Sequence, residues 1–122
     1  MFLETQELVH LVFAPLMLVI FYYVKAHQPK KINNFYGYRT PASKRSQATW
    51  DFANEYSTEW MIKMMWILMV LQLVSIVLFD ASTSIMVATF GLIILMLVPI
   101  LMTEQRLRQM FDKEGNWKDE YV

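Results

Sequence analysis

Cysteine is absent from the 122 residues, which excludes disulfides, thiolate metal ligands and thiol nucleophiles together and leaves the redox compartment unstated. Glycine is scarce: three in the whole chain cannot build a phosphate-cradling loop. The two histidines, His10 and His27, stand seventeen positions apart with no carboxylate pair at ligand spacing beside either, so no metal site is expected. No nucleophile motif with a neighbouring base is present, and the chain is read as a non-enzyme without cofactor. Formal net charge is zero, so no overall field points to direct nucleic-acid binding. Lys and Arg are also missing from the first seven residues, which carry Glu4 and Glu7 instead. A secretory signal would have a basic start and a small-residue cleavage site, so the first apolar run is expected to be retained.

What the chain has in quantity is apolar sequence, gathered into runs at about 8–24, 61–79 and 85–102. Each is close to the ~20 residues that a helix needs to cross ~30 Å of hydrocarbon. The expectation is an all-α, polytopic membrane protein. It has a single domain over 1–122, three transmembrane helices, a connecting loop over 25–60 and an amphipathic interfacial helix before the second span. From Ser46, a candidate cap, Trp50, Ala53, Ser57 and Met61 recur at spacings of three and four. That helix lies along the membrane surface or rises straight into the second span. No run has a central Asp or Glu, which argues against proton-coupled export by this chain alone.

Details within the runs carry further expectations. His10 sits about one turn into the first run and is read as interfacial, Pro15 as a bend, and Phe21, Tyr22 and Tyr23 as an aromatic belt before Lys25. Lys63 either pairs with Glu59 or snorkels. Met61, Met64, Met65 and Met69 are read as packing filler. Gln72 and Ser75 should face another helix, because lipid cannot satisfy them. Residues 80–84 are short enough only for a hairpin turn, with Ser82, Thr83 or Ser84 capping the third helix. Gly91 should allow close approach and Pro99 a late kink. Gly115 is expected to stop the last helix, with Trp117 and Tyr121 returning to the interface.

Charge asymmetry sets an expected orientation. The first connection holds Lys25, Lys30, Lys31, Arg39, Lys44 and Arg45, the second holds no Lys or Arg, and the tail holds Arg106, Arg108, Lys113 and Lys118. Positive residues stay on the cytoplasmic side, so the amino terminus is expected outside, and the loop and carboxyl terminus inside.

The loop is the least hydrocarbon-compatible stretch and reads as a shaped element. Gly37 permits a backbone conformation that a Cβ resists, Thr40-Pro41 forces an extended or turning backbone, and Arg39 presents five donors in a plane. Arg39 either contacts a ligand or ties the loop to the helix ends. Its expected holders are Asn33, Tyr36 and Tyr38, or the acidic Asp51 and Glu55.

The string N-x-x-Y-G-Y-R-T-P-x-S at 33–43, followed by S-x-x-x-W-x-x-A-N at 46–54, resembles the signature of the SdpI family of bacterial membrane proteins. Asn33, Tyr36, Gly37, Tyr38, Arg39, Thr40, Pro41, Ser43, Ser46, Trp50, Ala53 and Asn54 carry the likeness. The family's founding member makes cells immune to a secreted peptide toxin and recruits a cytoplasmic repressor to the membrane. The resemblance therefore implies an inner-membrane immunity protein against a membrane-active peptide. A second reading is a signalling or scaffold protein that captures a cytoplasmic regulator or a larger membrane complex. A third is a lipid-headgroup binder using Arg39, Lys44, Arg45 and Trp50. Candidate partner-binding residues are Asn33, Tyr36, Gly37, Tyr38, Arg39, Thr40, Pro41, Ser43, Trp50 and Asn54. Candidate partners are membrane lipids, a peptide toxin, a cytoplasmic regulator and a second copy of the chain.

Overall fold

The computed structural model describes residues 5–121, without the side chains of Gln6, Glu7, Val9 and His10. The expectations for Glu4, Glu7 and His10 lie outside the described residues. Three helices make the fold: α1 (Thr5–Ala26), α2 (Gln47–Leu78) and α3 (Ala81–Met110), with a 3-10 turn at Asp119–Tyr121. No strand occurs among the described residues, only an isolated antiparallel pairing of Phe111 with Trp117.

α2 starts at Ser46 through a reciprocal cap. The Ser46 hydroxyl accepts from the Thr49 amide at 3.1 Å, while the Thr49 hydroxyl accepts from the Ser46 amide at 2.9 Å. No Gly or Pro follows until Leu78, so nothing interrupts the hydrogen-bond ladder. The 32 residues rise as one helix about 48 Å long. Of the two arrangements expected for the helix that begins at Ser46, it rises straight into the second span: residues 47–60 are the first turns of α2, and no separate surface helix precedes it. Lys63 does not reach Glu59; its Nζ lies 4.7 Å from the centre of the Trp60 ring.

Only Phe79 and Asp80 separate α2 from α3, which forces the two helices antiparallel. The cap of α3 is Asp80, whose carboxylate accepts from the Thr83 amide at 2.9 Å. Hydrogen bonds from the Thr83 hydroxyl and amide hold that carboxyl below the usual carboxylate range. Ser82, Thr83 and Ser84, expected as caps, lie inside the helix, because Asp80 is the first residue after α2 able to do the job.

The main core joins Ala14 and Leu18 of α1 to Ile62, Met64, Met65 and Leu68 of α2, with Leu92, Leu95 and Met96 of α3 packed against it. Met64 and Met65 thus fill space, as does Met69 at its margin. A Cβ on Gly91 would stand 2.6 Å from Leu71 Cδ2, so the glycine sets how closely α3 lies on α2. Gln72 and Ser75 both point inward, and the Ser75 and Ser84 hydroxyls bond across the hairpin at 3.1 Å.

The outward surfaces of these helices are unlike those of a soluble domain. Trp66, Ile67, Val70, Val74 and Val77 of α2, and Phe90, Ile94, Leu97 and Leu101 of α3, are exposed. In the most apolar stretches of α2 and α3, only 33% and 11% of residues are buried. Core helices would be covered; these suit hydrocarbon. By length and composition α2 and α3 can each cross a membrane, while the apolar part of α1, Leu11–Ala26, is shorter.

Candidate functional site

Residues 27–46 contain no helix, so their buried amides and carbonyls need partners from elsewhere. Asn54, two turns into α2 and buried, supplies those of Tyr38. Its Oδ1 accepts from the Tyr38 amide at 2.7 Å, and its Nδ2 donates to the Trp50 carbonyl at 2.9 Å. Gly37 lies directly over this contact with φ +97°. A Cβ there would fall 2.5 Å from Asn54 Oδ1 and 2.7 Å from Pro29 Cγ. Glycine is required here twice over, for its backbone angle and for the space.

Trp50 is fully buried and donates from Nε1 to the Pro29 carbonyl at 2.7 Å, which pins the start of the loop to α2. Trp50 is thus unavailable to a lipid headgroup. Ser43 closes the turn begun by Thr40-Pro41. The Ser43 Oγ accepts from the Thr40 amide at 2.9 Å and contacts the carbonyls of Thr40 and Tyr38 at 2.8 and 3.1 Å. Thr40 Oγ1 accepts from the Ser43 amide at 3.2 Å, and Thr49 Oγ1 donates to the Ser43 carbonyl at 3.0 Å. With Pro41 fixing its own φ at the turn, side chains hold the segment 38–50 at Tyr38, Thr40, Ser43, Ser46 and Thr49.

Tyr38 ties the loop to α3. Its hydroxyl lies 3.0 Å from Glu104 Oε1 and 3.3 Å from the Ile100 carbonyl. Burial, then the Glu104 negative charge and hydrogen bond, push the phenol pKa well above its ordinary value. The carboxyl tail closes the same end. It reverses at Gly115 (φ +85°), and Trp117 stacks near Phe111, their centroids 4.2 Å apart, with Phe52 beside both. Ser46 Oγ donates to the Gly115 carbonyl at 2.6 Å. Gly115 therefore does not stop α3, which ends at Met110; it turns the tail back onto the cap of α2.

Arg39 is not the centre of this arrangement. It is exposed, and its Nη1 donates to the Asn34 carbonyl, not to Asn33, Tyr36, Tyr38, Asp51 or Glu55. Lys44 Nζ reaches Asn34 Oδ1 at 2.7 Å from the other side. Asn33 shapes the tip, its Oδ1 accepting from the Phe35 and Tyr36 amides at 2.8 and 3.0 Å. Phe35 (87% exposed) and Tyr36 (52%) project from the tip.

The motif thus divides. Gly37, Tyr38, Thr40, Ser43, Trp50 and Asn54 lock the loop, Asn33 and Pro41 set its turns, and Tyr36 and Arg39, with Phe35, are displayed. Sequence reasoning missed Glu104 and Pro29. Glu104 is the first acid after the third apolar run, and that position was the available signal.

A model of the SdpI/YfhL protein family matches residues 30–103. An uncharacterized protein of Bacillus subtilis (strain 168), YfhL, is 33% identical over 100 residues, covering 82% of this chain and 86% of the relative. No solved structure matches.

Proposed function

Since the chain belongs to the SdpI/YfhL family, we propose that it is a bacterial inner-membrane protein that protects its cell against a membrane-active peptide. In this reading α1, α2 and α3 all span, as one domain. The amino terminus lies outside, and the knotted loop and folded tail lie on the cytoplasmic face. At ~1.5 Å per residue the 22 residues of α1 reach ~33 Å, enough to cross. The loop lies level with the ends of the apolar stretches, because Tyr38 meets Ile100 and Glu104 of α3, and Gly37 borders a pocket lined by Phe21, Val24 and Met61.

The observation that carries the proposal is the division of the motif. One set of residues is spent on holding the loop rigid, and what the rigid loop holds out is an aromatic–cationic tip of Phe35, Tyr36 and Arg39. Recognition, not catalysis, is what such a tip performs. The test is killing of a strain lacking the gene by membrane-active peptides, with complementation. Tyr36→Ala and Arg39→Ala should lose protection at normal membrane levels. A deletion strain no more sensitive than its parent removes the immunity reading.

The same tip supports a second reading, in which it captures a cytoplasmic regulator. In that case a partner crosslinks at position 36 and is lost with Arg39→Ala, while peptide sensitivity is unchanged.

A further inference from the structure

A second feature borders the motif, sharing Pro29 and Asn54 with the locked loop. Between the end of α1 and the first turns of α2 lies a cavity of about 340 Å3, at the lower end of the range for small-ligand sites. Lys25, Gln28 and Lys30 line it from α1 and the chain just beyond. Asp51, Glu55 and Glu59, spaced by four along one stripe of α2, line it from the other side. Asp51 is partly engaged, accepting from Gln47 Nε2 at 2.7 Å. Glu55 and Glu59 take no hydrogen bond from the protein among the described residues, and no Lys–carboxylate ion pair closes the cavity. In its wall the Gln28 amide leaves Oε1 buried without a donor.

We propose that this cavity binds the zwitterionic phosphate–ammonium headgroup of phosphatidylethanolamine, and the inference rests on the membrane reading in which all three helices span. The two charges of that headgroup match the two walls: phosphate against Lys25 and Lys30, primary ammonium against Glu55 and Glu59. The position fits as well. Lys25 lies in the last turn of α1, and Glu59 immediately precedes the apolar stretch of α2, so the cavity sits at headgroup depth. The chemistry also discriminates among lipids. A choline headgroup has no N–H for the carboxylates and is recognised through aromatic cages, and no aromatic side chain lines this cavity. A glycerol headgroup has no cation to set against Glu55 and Glu59.

The test titrates the purified full chain in detergent with short-chain phosphatidylethanolamine, phosphatidylcholine and phosphatidylglycerol, and separately with free phosphoethanolamine. Phosphatidylethanolamine should saturate at one site with at least tenfold tighter binding than the other two lipids. The double variant Glu55→Gln/Glu59→Gln should lose that preference while its circular dichroism and thermal midpoint stay close to wild type. Lys25→Gln/Lys30→Gln, which spares the carboxylates, should weaken binding of phosphatidylethanolamine and of free phosphoethanolamine alike, and so guards against a misfolded carboxylate variant. Free phosphoethanolamine binding as tightly as the lipid would confirm the headgroup chemistry and identify a soluble source. Equal affinity for the three lipids, unchanged binding by both double variants, or displacement by a lysine-rich peptide but not by phosphatidylethanolamine would each overturn the proposal. Recovery of the chain from the soluble fraction of cells sinks the membrane reading instead; loss of lipid preference in a membrane-bound chain sinks only this site.

Discussion

Replacing Asn54 with alanine should open the loop, whereas replacing Arg39 should not. Asn54→Ala strands the Tyr38 amide in a part-buried position and empties the space of a side chain that is 3% exposed. At this part-buried position the stranded donor costs ~1–2 kcal/mol, and lost packing adds ~1 kcal/mol, for a total of about 2–3 kcal/mol. Arg39→Ala removes one contact from an exposed side chain and should stay within ~0.5 kcal/mol. Hydrogen exchange reads this locally. The Thr40 and Lys44 amides, bonded to Ser43 Oγ and the Thr40 carbonyl, are suitable reporters because the substitution leaves their own acceptors intact. At ~1.4 kcal/mol per tenfold, both should exchange roughly 30- to 150-fold faster in Asn54→Ala. If their exchange is unchanged there and accelerated in Arg39→Ala, the loop is built around the arginine and Asn54 is not its anchor.

Other substitutions test separate joints of the structure. Gly37→Ala must strain a backbone at φ +97° and displace Asn54 or Pro29, so it should lower stability by at least ~2 kcal/mol, read as a fall in thermal midpoint in detergent. Tyr38→Phe should cost ~1–2 kcal/mol near neutral pH through loss of the Glu104 contact. Because the folded phenol holds its proton more tightly than the unfolded one, the wild type's advantage is complete below the unfolded value of ~10 and shrinks as pH rises above it. Unfolding at pH 8 and pH 11 should therefore show a narrowing gap, and a constant gap would contradict the assigned burial. Ser75→Ala and Ser84→Ala should each cost ~0.6–1.7 kcal/mol, with the double variant less than additive because the two hydroxyls share one bond. Phe35→Cys, the only thiol in the chain, should resist an impermeant maleimide applied to intact cells and react after permeabilisation; labelling from outside would invert the proposed orientation.

The helices were readable because their signals are local. Apolar run length located α2 and α3, Ser46 announced its cap, and Gln72, Ser75 and Gly91 could only face a neighbour. The loop's architecture was hidden because it depends on backbone groups, which every residue has and no sequence displays. Charge drew attention to Arg39, yet the buried amide of Tyr38 determines where the loop sits, and the acceptor for it is sixteen residues away. The α3 cap was misplaced for a different reason: Ser82, Thr83 and Ser84 are cap-competent and were favoured, but Asp80, two residues earlier, is as competent and the short hairpin puts it at the helix start. Glu104 was marked only by its position, a weak sign, since a lone acid beyond an apolar run normally just faces water.

The two-residue turn at Phe79–Asp80 means that α2 and α3 present no loop of their own at that end. In the proposed orientation these two helices offer an attacking peptide arriving from outside only a bend before the lipid begins. Any shielding that α2 and α3 provide is then exerted sideways, through the greasy flanks of the bundle, or at the far side where the chain has concentrated its polar handiwork.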